Sequence, residues 1–200
     1  MGAFCLLVEL KMSITLSNFI RTLRRFGDLH SPATEDHAIR VRDLALRIGE
    51  SLKLNAEQLV LLGNGADTHD IGKVFIDSAV LDKAGKLNKA QRAQVEKHPE
   101  LGYEALELAE LPAEIMQVVL CHQEHYDGSG YPRKLKGAEI PLNARIVTIC
   151  DVWDALNSDR PYRSAFSSTK ALSIMNQNAA WFDPKFFVIF LALVRGDERQ

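Results

Sequence analysis

Six residues of this chain have the chemistry of metal ligands: His37, the adjacent pair His69 and Asp70, His98, His122 and Asp151. Lys73 follows Asp70 by three residues, and Asp154 follows Asp151 by three. Imidazoles and carboxylates in this number are what a dinuclear metal site needs, and such sites commonly hydrolyse phosphate esters. A carboxylate has two oxygens and can bridge two cations. Histidine suits iron, manganese, zinc or cobalt better than calcium. One histidine on an apolar helix face is more often a satisfied core residue than a ligand. Here the candidates come from several separate segments, and a buried imidazole or carboxylate is costly unless it is paired or binds a metal. One shared metal centre offsets that cost for all of them.

The segments that must position these residues read as helices. Residues 14–26 place Leu16, Phe19, Ile20, Leu23 and Phe26 on one face. From about Glu35 to Leu52 the apolar stripe is Val41, Leu44, Ala45, Ile48 and Leu52, with His37 one turn earlier on the same stripe. Asn55 starts the next helix, with Gln58 at the capping-box position. The segment GNGAD before His69 is a poor helix sequence, because an interior glycine costs about 1 kcal/mol. A kinked or frayed helix is expected there. KAGKLN reads as a turn with Asn88 as the next cap, and Pro99 and Pro112 each fit a first helical position. Ile115, Val118, Val119 and His122 share a face, so His122 points inward. DGSGYP must be a loop. Helix returns from Asn143 to Leu156, with Asp151 and Asp154 as surface neighbours. Residues 169–194 read as two helices split by FDP. No strand pattern, repeat or low-complexity run is evident.

Composition excludes several function classes. The 200 residues are 46% hydrophobic and 25% charged, ordinary for one globular domain with a sizeable core. A net charge of -2 gives no basic field to draw the chain to a nucleic acid polymer. Cys5, Cys121 and Cys150 form no CxxC pair, which points to reduced thiols and a cytoplasmic setting. MGAFCLLVEL is apolar but shorter than the ~20 residues of a membrane span and lacks the marks of a secretory signal. It reads as a packing segment or leader.

HDIGK, HP, HQEHYDGSGYP, IPLNARIVTICDVWDAL, DRPY and FDP occur in that order between Asp28 and Pro184. This pattern resembles the HD-GYP family, the cyclic di-GMP phosphodiesterase branch of the HD metal-dependent phosphohydrolases. The resemblance implies an all-α HD-domain helical bundle with a GYP loop and C-terminal helices. Residues 1–30 would be a leader and helix packing on the domain, and residues 31–195 the HD-GYP domain. It implies His37, His69, Asp70 and Asp151 on one metal, with Asp70 bridging to a second held by His98 and His122. The cofactor would be two divalent transition-metal ions, iron or manganese first, with zinc, cobalt or nickel as alternatives. Asp70, Lys73 and Asp154 take catalytic roles. Lys73, Asp154, Tyr131, Arg160 and Arg163 take substrate roles, the two arginines as phosphate contacts, since a guanidinium fork matches a phosphate.

Two departures bear on the metal count. Gln123 stands where the family usually has a second histidine, and Ala33 where many members carry glutamate; both family residues are associated with a third metal. Their joint absence implies a two-metal site. His125 replaces a common arginine at the rim and is not counted as a ligand. The implied activity is hydrolysis of cyclic di-GMP to pGpG, with further cleavage to GMP left open. The alternatives are a catalytically weak cyclic di-GMP receptor or protein-interaction module, and an HD hydrolase of another cyclic dinucleotide. Diguanylate cyclase (GGDEF) domains are the protein partners implied for the GYP loop.

Overall fold

The structure is a computed structural model, and it describes residues 16, 18–25, 35–107, 109–159 and 163–197. The expectations for the N-terminal leader, Ala33 and Arg160 lie outside these residues. Helix α1 comprises residues 18–25. It is followed by α2 (Glu35–Ser51), α3 (Ala56–Thr68), a 3-10 turn (Ile71–Phe75), α4 (Ser78–Leu81), α5 (Lys89–Val95), α6 (His98–Glu107) and α7 (Ala113–Cys121). Then come the GYP loop, α8 (Leu142–Asn157), α9 (Ser168–Gln177) and α10 (Pro184–Asp197). The architecture is all-α, with no strand among the described residues.

The core follows the apolar stripes. Val41, Leu44, Ala45 and Ile48 of α2 are buried against Leu62 and Ala66 of α3, Ile146, Val147 and Ile149 of α8, and Phe186, Phe187 and Phe190 of α10. Each of the larger side chains, valine to phenylalanine, contributes roughly 1.5–3 kcal/mol on leaving water. Helix α8 buries residues on almost every side, which makes it the central post of the bundle. A smaller cluster of Ile71, Leu106, Met116 and Val119 packs α6 and α7 around the turn after Asp70, with Leu23 of α1 against it.

The caps are formed as the spacing implies. Asn55 with Gln58, and Asn88 with Gln91, close reciprocal capping boxes at the starts of α3 and α5. Two local readings need correction. Pro112 is the N-cap of α7 rather than its first residue. More substantially, GNGAD neither kinks nor frays but forms the buried last turns of α3. The reason is tertiary: a Cβ on Gly65 would stand 2.8 Å from Cγ2 of Val118, so glycine lets α3 and α7 approach closely. Burial against α7 overrides the propensity cost.

Candidate metal centre

His69 and Asp70 sit where α3 ends and the 3-10 turn begins. His37 is in the first turn of α2, His98 opens α6, His122 caps α7, and Asp151 lies within α8. Packing of α2, α3, α6, α7 and α8 brings these six residues around one point. Ligand atoms of His37, His69 and Asp70 lie within 4.8 Å of one another, as do those of His69, His122 and Asp151, and those of Asp70, His98 and His122.

Helix ends orient the imidazoles. His69 Nδ1 lies 2.7 Å from the Ala66 carbonyl, His98 Nδ1 2.8 Å from Val95, and His122 Nδ1 3.0 Å from Val119. Each acceptor belongs to the last turn of a helix, where carbonyls lack intrahelical partners. A carbonyl can only accept, so Nδ1 carries the proton and Nε2 turns its lone pair inward, the tautomer that binds metal. His37 reaches the same orientation differently, with Nδ1 2.7 Å from Asp154 Oδ2.

The inward atoms have the spacing of ligands on shared ions. His37 and His69 bring their Nε2 atoms to 3.2 Å, and His98 and His122 to 3.1 Å. Two ligands at 2.0–2.1 Å from one ion lie about 2.8–3.4 Å apart at octahedral to tetrahedral angles. Asp70 Oδ1 is 3.3 Å from His98 Nε2 and 3.6 Å from His122 Nε2. Its Oδ2 is 3.5 Å from His69 Nε2 and 3.7 Å from His37 Nε2. Asp151 Oδ1 lies 3.3 Å from His37 Nε2. Asp70 Oδ1 is fully buried yet has no hydrogen-bond partner among the described residues. Such an acceptor costs about 1–3 kcal/mol unless something positive fills the gap. The residues present therefore fit divalent-metal binding, with Asp70 turned to both pairs of imidazoles.

Electrostatics point the same way. Burial alone would raise the Asp70 carboxyl, but Lys73, His69 and the other imidazoles hold it well below its ordinary range. Asp151 is likewise held low against burial, chiefly by His37. Burial pushes His69 down to about 4 and also lowers His98, favouring neutral, ligating rings. His37 is the exception: against its burial, Asp151 and Asp154 raise it to about 9, so a cation there has to displace its Nε2 proton.

The expected substrate residues divide. Lys73 Nζ pairs with Asp70 Oδ2 at 2.5 Å, at the edge of the cluster. Tyr131 donates to Gln123 Oε1 at 3.1 Å, and Gln123 Nε2 donates to Asp151 Oδ2 at 3.0 Å. The GYP tyrosine is thus tied to the cluster through the residue that departs from the family pattern. Asp154 stands elsewhere than expected. It is 5% exposed, lies behind His37, and spends both oxygens on His37, Arg40 and Ser158. In this geometry its carboxylate orients His37. Arg163, expected as a phosphate contact, is engaged by the main chain in this structure. Its guanidinium donates to the Ala155 carbonyl at 2.7 Å, to Leu156 and to Ser164, and stacks over Phe166. Carbonyls in the last turn of α8, which lack intrahelical partners, accept from it.

The sequence reading missed two further residues. Glu124, 1% exposed, accepts from the backbone N–H of Arg133 at 2.7 Å and of Leu135 at 3.1 Å, anchoring the GYP loop from beneath. Arg40 grips Asp154. A carboxylate between the inward-facing His122 and the GYP loop, as in HQEH, was the available signal for Glu124. His125 stacks on Trp181 with ring centroids 4.3 Å apart and is no part of the cluster. Among the described residues, no helix is long and apolar enough to cross a membrane.

Comparison with known proteins agrees with this geometry. A family described as "HD domain" matches residues 21–186. The chain is 37% identical over 183 residues to the cyclic di-GMP phosphodiesterase response regulator RpfG of Xanthomonas campestris pv. campestris, covering 89% of this chain and 47% of that protein. It is also 37% identical over 173 residues to the 3'3'-cGAMP-specific phosphodiesterase 3 of Vibrio cholerae, covering 86% of this chain and 38% of that protein. The chain thus spans less than half the length of these relatives. Among solved structures, an HDG"Y"P protein from Bdellovibrio bacteriovorus shares the fold with a TM-score of 0.68 at 15% identity, over 92% of this chain and 62% of that one. The chain belongs to the HD domain family, in its HD-GYP branch.

Proposed function

We propose that this chain is a metal-dependent phosphodiesterase that opens cyclic dinucleotides, with cyclic di-GMP cut to pGpG as the first reading. The observation that carries it is the convergence of four imidazole Nε2 atoms and the Asp151 carboxylate around Asp70, whose buried Oδ1 lacks a hydrogen-bond partner among the described residues. His37, His69, Asp70 and Asp151 would hold one divalent ion, and Asp70, His98 and His122 a second, with iron or manganese the first candidates. Ions held there supply Lewis acidity, acidifying water and neutralising charge on a phosphodiester.

The chain's own groups do the remaining work. Asp70 joins the two positions. Lys73 balances the Asp70 carboxylate and adds a cation at the edge where a phosphate would enter. Burial and the nearby carboxylates raise the Tyr131 phenol, so it remains a hydrogen-bond donor at neutral pH. Arg160, in the segment after α8, is the remaining arginine assigned to a substrate phosphate. The GYP loop is the surface we assign to contact with diguanylate cyclase domains.

A second reading has equal support from likeness: the relative named for 3'3'-cGAMP is as similar as the one named for cyclic di-GMP. Purified protein loaded with manganese or iron(II) should therefore be given cyclic di-GMP and 3'3'-cGAMP side by side, with products resolved by chromatography. Linear pGpG from cyclic di-GMP supports the first reading, and selective opening of 3'3'-cGAMP the second. Binding of either without turnover would replace the enzyme with a receptor.

A further inference from the structure

We infer that Arg40 is a positioning residue for the metal position built on His37, acting through Asp154. The inference rests on the metal-dependent reading above. Arg40 lies one turn beyond His37 on α2, so both side chains leave the helix on the same side. The two meet at Asp154 from opposite directions. Arg40 Nε donates to Oδ1 at 2.5 Å and its terminal NH2 to Oδ2 at 3.1 Å, while Oδ2 lies 2.7 Å from His37 Nδ1. The same NH2 group reaches Ser158 Oγ at 3.0 Å, and Ser158 donates back to Asp154 Oδ2 at 3.2 Å.

A planar guanidinium gripping both oxygens fixes the rotation of the carboxylate plane as well as its place. That rotation matters because Oδ2 has to remain in line with the Nδ1–H of His37. If the carboxylate turns, the imidazole can swing, and its Nε2 leaves the spacing it holds with His69. His37 needs this support more than the other three histidines do. They are held by main-chain carbonyls of helix ends, whereas His37 depends on a side-chain carboxylate. The guanidinium is itself half-exposed, with 46% of the side chain open, so its removal leaves no cavity in the core.

The centre is consequently asymmetric. The position of His98 and His122 rests on backbone, and the position of His37 rests on a chain ending at a solvent-facing arginine. Losses of outer partners of metal-binding histidines cost roughly ten- to a hundredfold in metal affinity. Arg40→Ala should weaken one of two binding steps by that factor and leave the other within about twofold.

The test is titration of manganese(II) or zinc(II) into chelator-stripped protein against a competing chelator, for wild type, Arg40→Ala, Arg40→Lys and Arg47→Ala. Arg40→Lys keeps the charge without the fork and should fall between wild type and Arg40→Ala. It also serves if the alanine variant folds poorly. Arg47 pairs with Asp197 on the exposed side of α2, and Arg47→Ala should match wild type. Two unchanged affinities in Arg40→Ala would overturn the inference while leaving the metal site standing. Equal loss at both positions together with a lower Tm would overturn it in favour of a purely structural role. A wild-type protein that takes up no metal would overturn both this inference and the proposed function.

Discussion

Removing the Glu124 carboxylate should detach the GYP loop from the bundle and lower global stability. Glu124 is buried and accepts two backbone N–H groups, from Arg133 and Leu135, that stand on the far side of DGSGYP. Hydrogen bonds to a charged group contribute about 1.5–3 kcal/mol each, so the gross loss in Glu124→Ala is about 3–6 kcal/mol. Burial raises the Glu124 carboxyl against its backbone donors, a sign that part of its desolvation is uncompensated. Relief of that cost brings the expected net loss to about 2–4 kcal/mol. At roughly 2–4 °C per kcal/mol for a chain of this size, Tm should fall by about 4–16 °C. Glu124→Gln keeps one acceptor and turns an amide N–H towards a backbone N–H, so it should lose about 1–3 kcal/mol. Thermal unfolding by circular dichroism, beside limited proteolysis of residues 126–136, reads both effects. If both variants stay within about 0.5 kcal/mol of wild type and cleave no faster, the buried-anchor reasoning is wrong.

Other expectations follow from the same geometry. Asp70→Ala should strip metal from both positions, because Asp70 turns one oxygen to the imidazoles of His98 and His122 and the other to those of His37 and His69; elemental analysis showing normal metal content would mean the centre is misplaced. Chelation should lower Tm. Ions at a hundred times their Kd contribute about 2.7 kcal/mol, and scanning calorimetry with and without chelator measures it. Arg163→Ala should lower Tm through loss of the α8 cap and leave cyclic di-GMP affinity unchanged. Arg160→Ala should weaken that affinity roughly ten- to a hundredfold, the size of one charge-assisted hydrogen bond. Isothermal titration of metal-loaded protein separates the two arginines, and a tighter-binding or unaltered Arg160→Ala would remove DRPYR from the substrate site.

The helical architecture was legible because its signals are local. Apolar stripes, the Asn55 and Asn88 boxes, and the glycines and proline of DGSGYP act over a few residues. The inward aim of His37 and His122 was equally readable from helix periodicity. What escaped depends on which distant backbone or side chain arrives. GNGAD is helical because Val118 of another helix leaves room only for glycine at position 65. Arg163 looks like a phosphate clamp in sequence, but the end of α8 presents it with carbonyls first. Asp154 sits at ligand spacing from Asp151, yet the two carboxylates meet His37 at opposite nitrogens. Periodicity places a residue on a face; it does not say which atom of a neighbouring ring that face meets.

Gly72 gives the centre an internal ruler. A Cβ there would fall 1.9 Å from the carbonyl oxygen of His98, so the turn carrying Asp70 rides directly on the main chain of α6. Asp70 and His98 therefore move as one body. The offset between the Asp70 carboxylate and the His98 imidazole is set by backbone contact, which yields far less than a side-chain torsion. The compliance of the centre must lie on the opposite wall, in His37 and Asp151. Exchange of a small cation for a larger one would then be absorbed by α2 and α8, the helices that also carry Arg40 and Asp154. An HD centre built this way is half rigid gauge and half adjustable jaw, and the jaw is the side that ends at the protein surface.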